Sequence, residues 1–309
     1  MLSRRNLRVK VMQVLYAHHL SSTEARKNLM QSIQRAYQIY LFILHQLIDL
    51  HSYGEKNVEF RIAKLMPTEE DLQSKNILVE NKVVLKLLKS DSFRKSVENE
   101  KLHLRTDERT IRSLYKDMTE SEEVKKYALL AEHDFKEDRN LIVYLIKKLF
   151  DSNEPFNQQL EEIFINYQDD AKMIIAHAAD EINLLTETQP IEKLLNFENR
   201  KEEDDFAVSL LDTYLDHEEE LQKLIEPKLV NWDLDRVASI DLMLMKLALC
   251  EMMYFATIPL KVSLNEYIDI SKVYSTPKSK EFINGILDNI MKDLRQNGKI
   301  NKAGRGLVE

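Results

Sequence analysis

Apolar residues recur along the chain at the spacing of helical faces. Leu7, Val11, Val14 and Leu15 fall at i, i+4, i+7 and i+8, one stripe of an amphipathic helix predicted over residues 3–20. Ser21-Ser22-Thr23 breaks the pattern, and Ser21 or Ser22 suits the cap of a following helix. That second helix is expected to run to about Ser52, with Ile33, Ala36, Tyr37, Tyr40, Leu41, Leu44, Leu47 and Ile48 on its buried stripe. Tyr53-Gly54 is expected to end it, the glycine supplying a left-handed terminal residue.

Residues 55–200 have a different texture. Charged helical stretches alternate with short polar breaks such as Met66-Pro67-Thr68 and Asp151-Ser152-Asn153-Glu154-Pro155. Leu141, Tyr144, Leu145 and Leu149 make the stripe of a short helix. Residues 160–185 predict a longer one, with Phe164, Ala171, Ile174, Ala178 and Ile182 inward. Residues 86–126 are highly charged and only weakly periodic, which leaves their order open.

From about residue 200 the pattern sharpens. Phe206, Leu210, Leu211 and Leu215 line an acidic helix, and Leu221, Leu224, Ile225 and Leu229 continue it past a break near Pro227. Asn231-Trp232-Asp233 introduces the most apolar helix, Leu234 to about Phe255, whose lack of a polar face marks it as a central core helix. Pro259 separates it from a helix over 262–273. Thr276-Pro277 is expected to open the last helix, with Phe282, Ile286, Leu287, Ile290 and Leu294 on its inner stripe. Gly285 inside that pattern costs about 1 kcal/mol relative to Ala, so either a neighbouring helix or an external partner approaches its backbone. The tail from Gln296 is rich in Gly, Asn and Lys.

Composition agrees with helices throughout. The 309 residues include 5 Gly and 6 Pro, too few for the turns of a β-rich chain, and suffice for two compact units. The lone cysteine, Cys250, lies in an apolar run, which excludes an internal disulfide and fits a reducing, cytoplasmic setting. The basic start lacks the apolar segment of a secretory signal, and the longest apolar stretch, 240–255, is interrupted by Asp241, Lys246 and Glu251. Net charge is −8, yet residues 4–16 carry Arg4, Arg5, Arg8 and Lys10 and no acid. A basic cluster set against the overall charge points to a particular anionic partner, with a plain solvated helix start as the alternative.

The basic run Arg4-Arg5-Asn6-Leu7-Arg8, followed by Gln13, Leu15 and Tyr16, resembles the opening helix of the NusB transcription antitermination factors. Three later segments are similar to that family as well. They are Leu234-Asp235-Arg236 leading into 247–252, the run Pro259-Leu260-Lys261-Val262 with Asn265-Glu266, and Phe282-Ile283-Asn284-Gly285-Ile286-Leu287-Asp288. The resemblance covers about 1–50 and 200–295. It implies an all-α, NusB-like bundle of two small subdomains, here divided into an N-terminal part (1–54), a helical insertion (55–200), a C-terminal part (201–295) and a flexible tail (296–309).

The resemblance also implies function. Family members pair with ribosomal protein NusE, hold a single-stranded boxA-like RNA and help RNA polymerase in its antitermination complex resist termination. Carried onto this chain, the RNA surface comprises Arg4, Arg5, Arg8, Lys10, Tyr16, Lys278, Ser279 and Phe282, and the NusE surface Asp241 and Glu251. Guanidinium groups suit phosphates and base faces, while Tyr16 and Phe282 are equally compatible with a core. Two departures bear on the contacts: Lys278 stands where many members have an acid, and Asn6 where an extra arginine often sits.

No catalytic residue, metal site, cofactor or membrane segment is expected. The sequence has no P-loop, dinucleotide fingerprint, nucleophile elbow or His-Glu-x-x-His. His18 and His19 are adjacent and diverge on a helix, and the remaining histidines lack metal-site spacing. NusB-like domains also occur in RNA methyltransferases, but no Gly-rich cofactor loop is present here. The rival reading is a helical protein-interaction scaffold that binds no RNA.

Overall fold

The computed structural model describes residues 2–21, 24–130, 132–165, 167–192, 200–229, 237–298, 300 and 302. Among them every regular element is a helix. The chain divides into two compact units, one built from residues 1–2 and 34–200, the other from 3–33 and 201–309.

In the second of these units α1 (Arg4–Ser21) buries Leu7, Val11, Val14 and Leu15, the stripe expected from the spacing. α11 (Arg200–Ile225) buries Phe206, Leu210, Leu211 and Tyr214 and passes into a 3-10 turn at Glu226–Lys228, where Pro227 ends the α-helix. α12 (Ser239–Tyr254) is the centre of the bundle: Met243 through Met252 are all buried. α13 (Leu260–Tyr274) and α14 (Ser279–Gln296) pack on it and on each other, and α1 packs on α12 and α13. The expected opening at 231–236, including the Leu234-Asp235-Arg236 motif, lies outside the described residues, as does the Ser22 cap.

The unit formed around residues 34–200 is built of shorter pieces. α2 (Ala25–Ile62) enters it at Gln34, so residues 34–54 pack with the segment 55–200. α3 (Glu69–Leu72), α4 (Lys82–Lys89), α5 (Asp91–Asn99), α6 (Glu108–Glu120), α7 (Glu122–Ala128), α8 (Phe135–Tyr144) and α9 (Glu154–Ile163) follow, then α10 (Tyr167–Leu184). α8 runs on into a π-helical turn at Leu145–Phe150. The core joins Phe42 to Phe156 (ring centroids 6.4 Å apart, stacked) and to Phe164 (5.9 Å, edge-on), with Phe150 on Phe156 at 5.1 Å.

Several expectations change. α2 does not end at Gly54; the glycine is helical, and a Cβ there would meet Asn76 Oδ1 at 2.6 Å. Asn76 needs that space because its Nδ2 donates to the His51 carbonyl (2.9 Å) while its Oδ1 accepts from Leu78 N–H (3.1 Å). The single helix expected over 160–185 is two, α9 and α10, parted at Phe164, whose extended backbone turns its ring into the core. The weakly periodic stretch 86–126 is ordered helix, each short piece with its own phase, so a long window averages the phases away. Each helix from α3 to α9 carries a side-chain N-cap: Thr68, Asn81, Ser90, Asp107, Ser121, Asp134 and Asn153. In α14, Ile283 is buried and Phe282 only partly so, the buried face running through Ile283, Ile286, Leu287, Ile290 and Leu294.

Candidate nucleic-acid interface and the ion network beneath it

The basic opening of α1 does not project into solvent as one cluster. Arg4 is exposed, its guanidinium 5.3 Å from the centre of the Phe206 ring, a cation–π contact. Arg5 is about half exposed and forks onto α13: its Nε and Nη2 donate to Glu266 at 3.0 and 2.8 Å, and Nη2 donates also to Asp269 at 2.9 Å. These bonds raise the Arg5 pKa, the Glu266 hydrogen bond foremost.

Arg8, read from sequence as an RNA contact, is buried and must be corrected. Its Nε and Nη2 donate to the two carboxylate oxygens of Glu251 at 2.7 and 2.8 Å, and its Nη1 reaches Glu266 at 3.4 Å. Glu251, read as a surface contact for NusE, is fully buried and must be corrected with it. Its carboxylate also accepts from Ser263 (2.6 Å) and Tyr267 (3.3 Å), so four bonds converge on it from α1 and α13. Burial opposes the charge on Arg8, but the hydrogen bonds and charge of Glu251 outweigh it and the pKa is raised. Burial also holds Tyr267 well above its usual range, so the phenol stays a donor. Lys10 is buried too, its stem lying within the bundle rather than on an RNA surface.

Asp241 and Ser279 are buried as well. In the first turn of α12, Asp241 accepts from the Ser275 hydroxyl (2.5 Å) and the Ser279 hydroxyl (2.7 Å), with Thr276 and Ser279 oxygens 2.8 Å apart. This network joins the start of α12 to the turn between α13 and α14. An acid in an apolar helix is satisfied here by hydroxyl donors of its own chain, so Asp241 and Ser279, expected to meet NusE and RNA, are both engaged within the bundle.

Tyr16 and Lys278 are exposed and Phe282 is partly so. Gly285 is exposed, and an added Cβ would meet nothing within 4 Å, so no neighbouring helix among the described residues accounts for it. At the other end of α12, Lys302 Nζ donates to the carbonyls of Glu251 (3.1 Å) and Phe255 (2.8 Å), which docks part of the expected loose tail. The sequence reading overlooked Phe206, Glu266 and Asp269. The i, i+3 spacing of the two acids on one face of α13 was the available signal. No group of three or more His, Cys, Asp or Glu among the described residues is arranged to hold a metal ion, and no described helix is long and apolar enough to cross a membrane.

The class this defines is an all-α protein whose opening helix is locked to a central apolar helix by a buried ion pair. Residues 170–292 match the model of the NusB family. The "Transcription antitermination protein NusB" of Salinibacter ruber is 44% identical over 104 residues, 34% of this chain and 65% of that protein. Its namesake in Chloroherpeton thalassium is 41% identical over 105 residues, covering 34% and 50%, and that of Listeria monocytogenes 39% over 110 residues, covering 36% and 83%. This chain therefore spans under two thirds of the first two relatives' length and most of the third's. No solved structure matches the chain. The chain belongs to the NusB family. The family match begins inside α10 and does not extend to α1, so the resemblance of the opening helix rests on its residues alone.

Proposed function

We propose that this protein is a non-enzymatic RNA-binding antitermination factor that, with ribosomal protein NusE, holds a boxA-like element of nascent ribosomal RNA and helps RNA polymerase resist termination. The observation that carries the reading is the seating of α1. In a NusB-family chain of net charge −8, the buried Arg8–Glu251 pair fixes a helix whose first turn offers Arg4 and Arg5 at the surface. A fixed pair of guanidinium groups loses little freedom on binding phosphate. The RNA surface then comprises Arg4, Arg5, Tyr16, Lys278 and the exposed part of Phe282, with Arg8 and Lys10 as supports. We place NusE outside the Asp241 and Glu251 carboxylates, which are already engaged.

The test is titration of the whole chain with a boxA-like single-stranded RNA, with and without NusE. Arg4→Ala is expected to weaken binding and to reduce the salt slope by about one counterion, leaving the fold intact. Binding unaffected by Arg4→Ala and by salt would overturn the reading in favour of the protein-interaction scaffold.

A further inference from the structure

We propose that Glu266 and Asp269 form an acidic clamp on Arg5 that RNA must open, so that this pair of carboxylates limits how tightly the protein grips an RNA backbone. The inference rests on the RNA-binding reading above and assigns that site a restraint within the chain.

Each of the four carboxylate oxygens of the clamp holds at least one cation. Both Glu266 oxygens are taken, Oε1 by Arg5 Nη2 and Oε2 by Arg5 Nε and, more distantly, by Arg8 Nη1. Both Asp269 oxygens are taken as well, Oδ2 by Arg5 Nη2 and Oδ1 by Lys272 Nζ at 2.6 Å. Around this point three cations, Arg5, Arg8 and Lys272, face three carboxylates, Glu251, Glu266 and Asp269, so the formal charge cancels. Two of the four cations of the basic run, Arg5 and Arg8, are therefore paired with acids once folded.

Arg5, Asp269 and Lys272 all remain at the surface, with side chains 48%, 37% and 48% exposed. Water and salt keep such a pair weak and exchangeable, so a phosphate can replace a carboxylate on the same guanidinium fork. That replacement exchanges one anion for another. It releases fewer condensed counterions than contact with free cations would, and it leaves the displaced carboxylate close to the RNA. The balance favours an RNA that brings further contacts, such as stacking on Tyr16, over one that offers phosphates alone. The lowered pKa of Asp269, set first by its hydrogen bond from Lys272, keeps this arm of the clamp ionised at neutral pH.

Asp269→Asn is the informative variant, because it keeps the shape, removes one charge and lies at the surface. Glu266 is less suitable, since it also touches buried Arg8. The whole chain is titrated with a boxA-like single-stranded RNA and with polyuridine, each of about twelve nucleotides, over a range of salt. Asp269→Asn is expected to tighten binding by about three- to tenfold at low salt, to steepen the salt slope by about one counterion and to gain more on polyuridine than on the boxA-like RNA. In an Arg5→Ala background the gain should vanish. Unchanged affinity in Asp269→Asn while the wild type binds RNA would overturn the clamp and leave the RNA-binding reading standing. A gain that persists without Arg5 would also overturn it, since the acid would then act only through the general field. No binding of either RNA by wild type and variant alike would overturn the RNA-binding reading and the clamp together.

Discussion

The two compact units spend their buried polar groups differently. In the unit around residues 34–200 many of these groups cap a helix from just before its first turn, and some of them, such as Asn76, Asn81 and Asn153, reach distant residues as well. Asn81 Oδ1 accepts from Val83 and Val84 N–H, Ser90 caps Phe93, and Asn153 caps Phe156. Asp71 closes a capping box with Thr68 while Arg61 and Lys64 neutralise it, and these bonds hold its pKa well below the usual carboxylate range. In the unit of residues 3–33 and 201–309, which holds most of the family match, α12, α13 and α14 have no side-chain N-cap, and buried charged groups join distant helices. Arg8 meets Glu251, Lys246 meets Glu218 at 2.9 Å, and Asp241 meets Ser275 and Ser279. Short helices, marginal by themselves, are each started by a cap. Long apolar helices form readily but slide and rotate, and a few paired charges fix their register.

The comparison breaks most readily at Arg8. Arg8→Ala leaves the Glu251 carboxylate buried without its cation and should cost about 3–5 kcal/mol in urea unfolding. Hydrogen exchange should rise in α1, α12 and α13 while the caps of α4–α9 stay protected. A loss under about 1 kcal/mol would mean that the pair does not fix the bundle. For the same reason a joint Arg4, Arg5 and Arg8 variant cannot report on RNA contact alone.

Asp241→Ala ranks next. It removes the acceptor of one buried and one partly buried hydroxyl, Ser279 and Ser275, and should cost about 1–3 kcal/mol, with added exchange at the α13–α14 turn. A melting temperature like that of the wild type would return Asp241 to the list of surface contacts.

The local side of the comparison is tested at Asn153, whose Oδ1 caps α9 and whose Nδ2 donates to Asp117 at 2.7 Å. Asn153→Ala should cost about 1 kcal/mol, with the added exchange confined to α9 and α6. Exchange spreading to α12–α14 would show that the caps are not local in their effect.

The smallest effects come from two helical glycines and should differ in sign. Gly54→Ala forces the Asn76 side chain off its two hydrogen bonds and should destabilise by roughly 1 kcal/mol. Gly285→Ala meets open space and should stabilise by about 0.5–1 kcal/mol through helix propensity. If Gly285→Ala also weakens RNA or NusE binding, the glycine serves a partner; if it stabilises without that loss, only the fold is affected.

How much was legible follows the same division. Helix content, the stripes of α1 and α2, the core role of α12 and the break at Pro227 are repeats or punctuation within a few residues, and they can be read directly from the chain. The caps of α3–α9 were legible too, in runs such as Thr68-Glu69-Glu70-Asp71 and Asp134-Phe135-Lys136-Glu137, although the weak overall period of 86–126 obscured the helices capped by Ser90, Asp107 and Ser121. The candidate site was legible only in part. The basic run and Tyr16 stand out in sequence, but nothing local shows that Arg8 turns inward while Arg4 remains outside.

By itself, then, the sequence determined the helices, their faces and their stops, because those depend on contacts a turn or less apart. Tertiary structure alone decided which charges are surface and which are glue. Arg8 and Glu251 are 243 residues apart, and their meeting depends on how α1 settles against α12 and α13. The same settling brings Glu266 and Asp269 onto Arg5 and Phe206 under Arg4, so that part of the basic run is neutralised. A charge's environment is a property of the packed neighbours, and over such separations neither spacing nor propensity carries it.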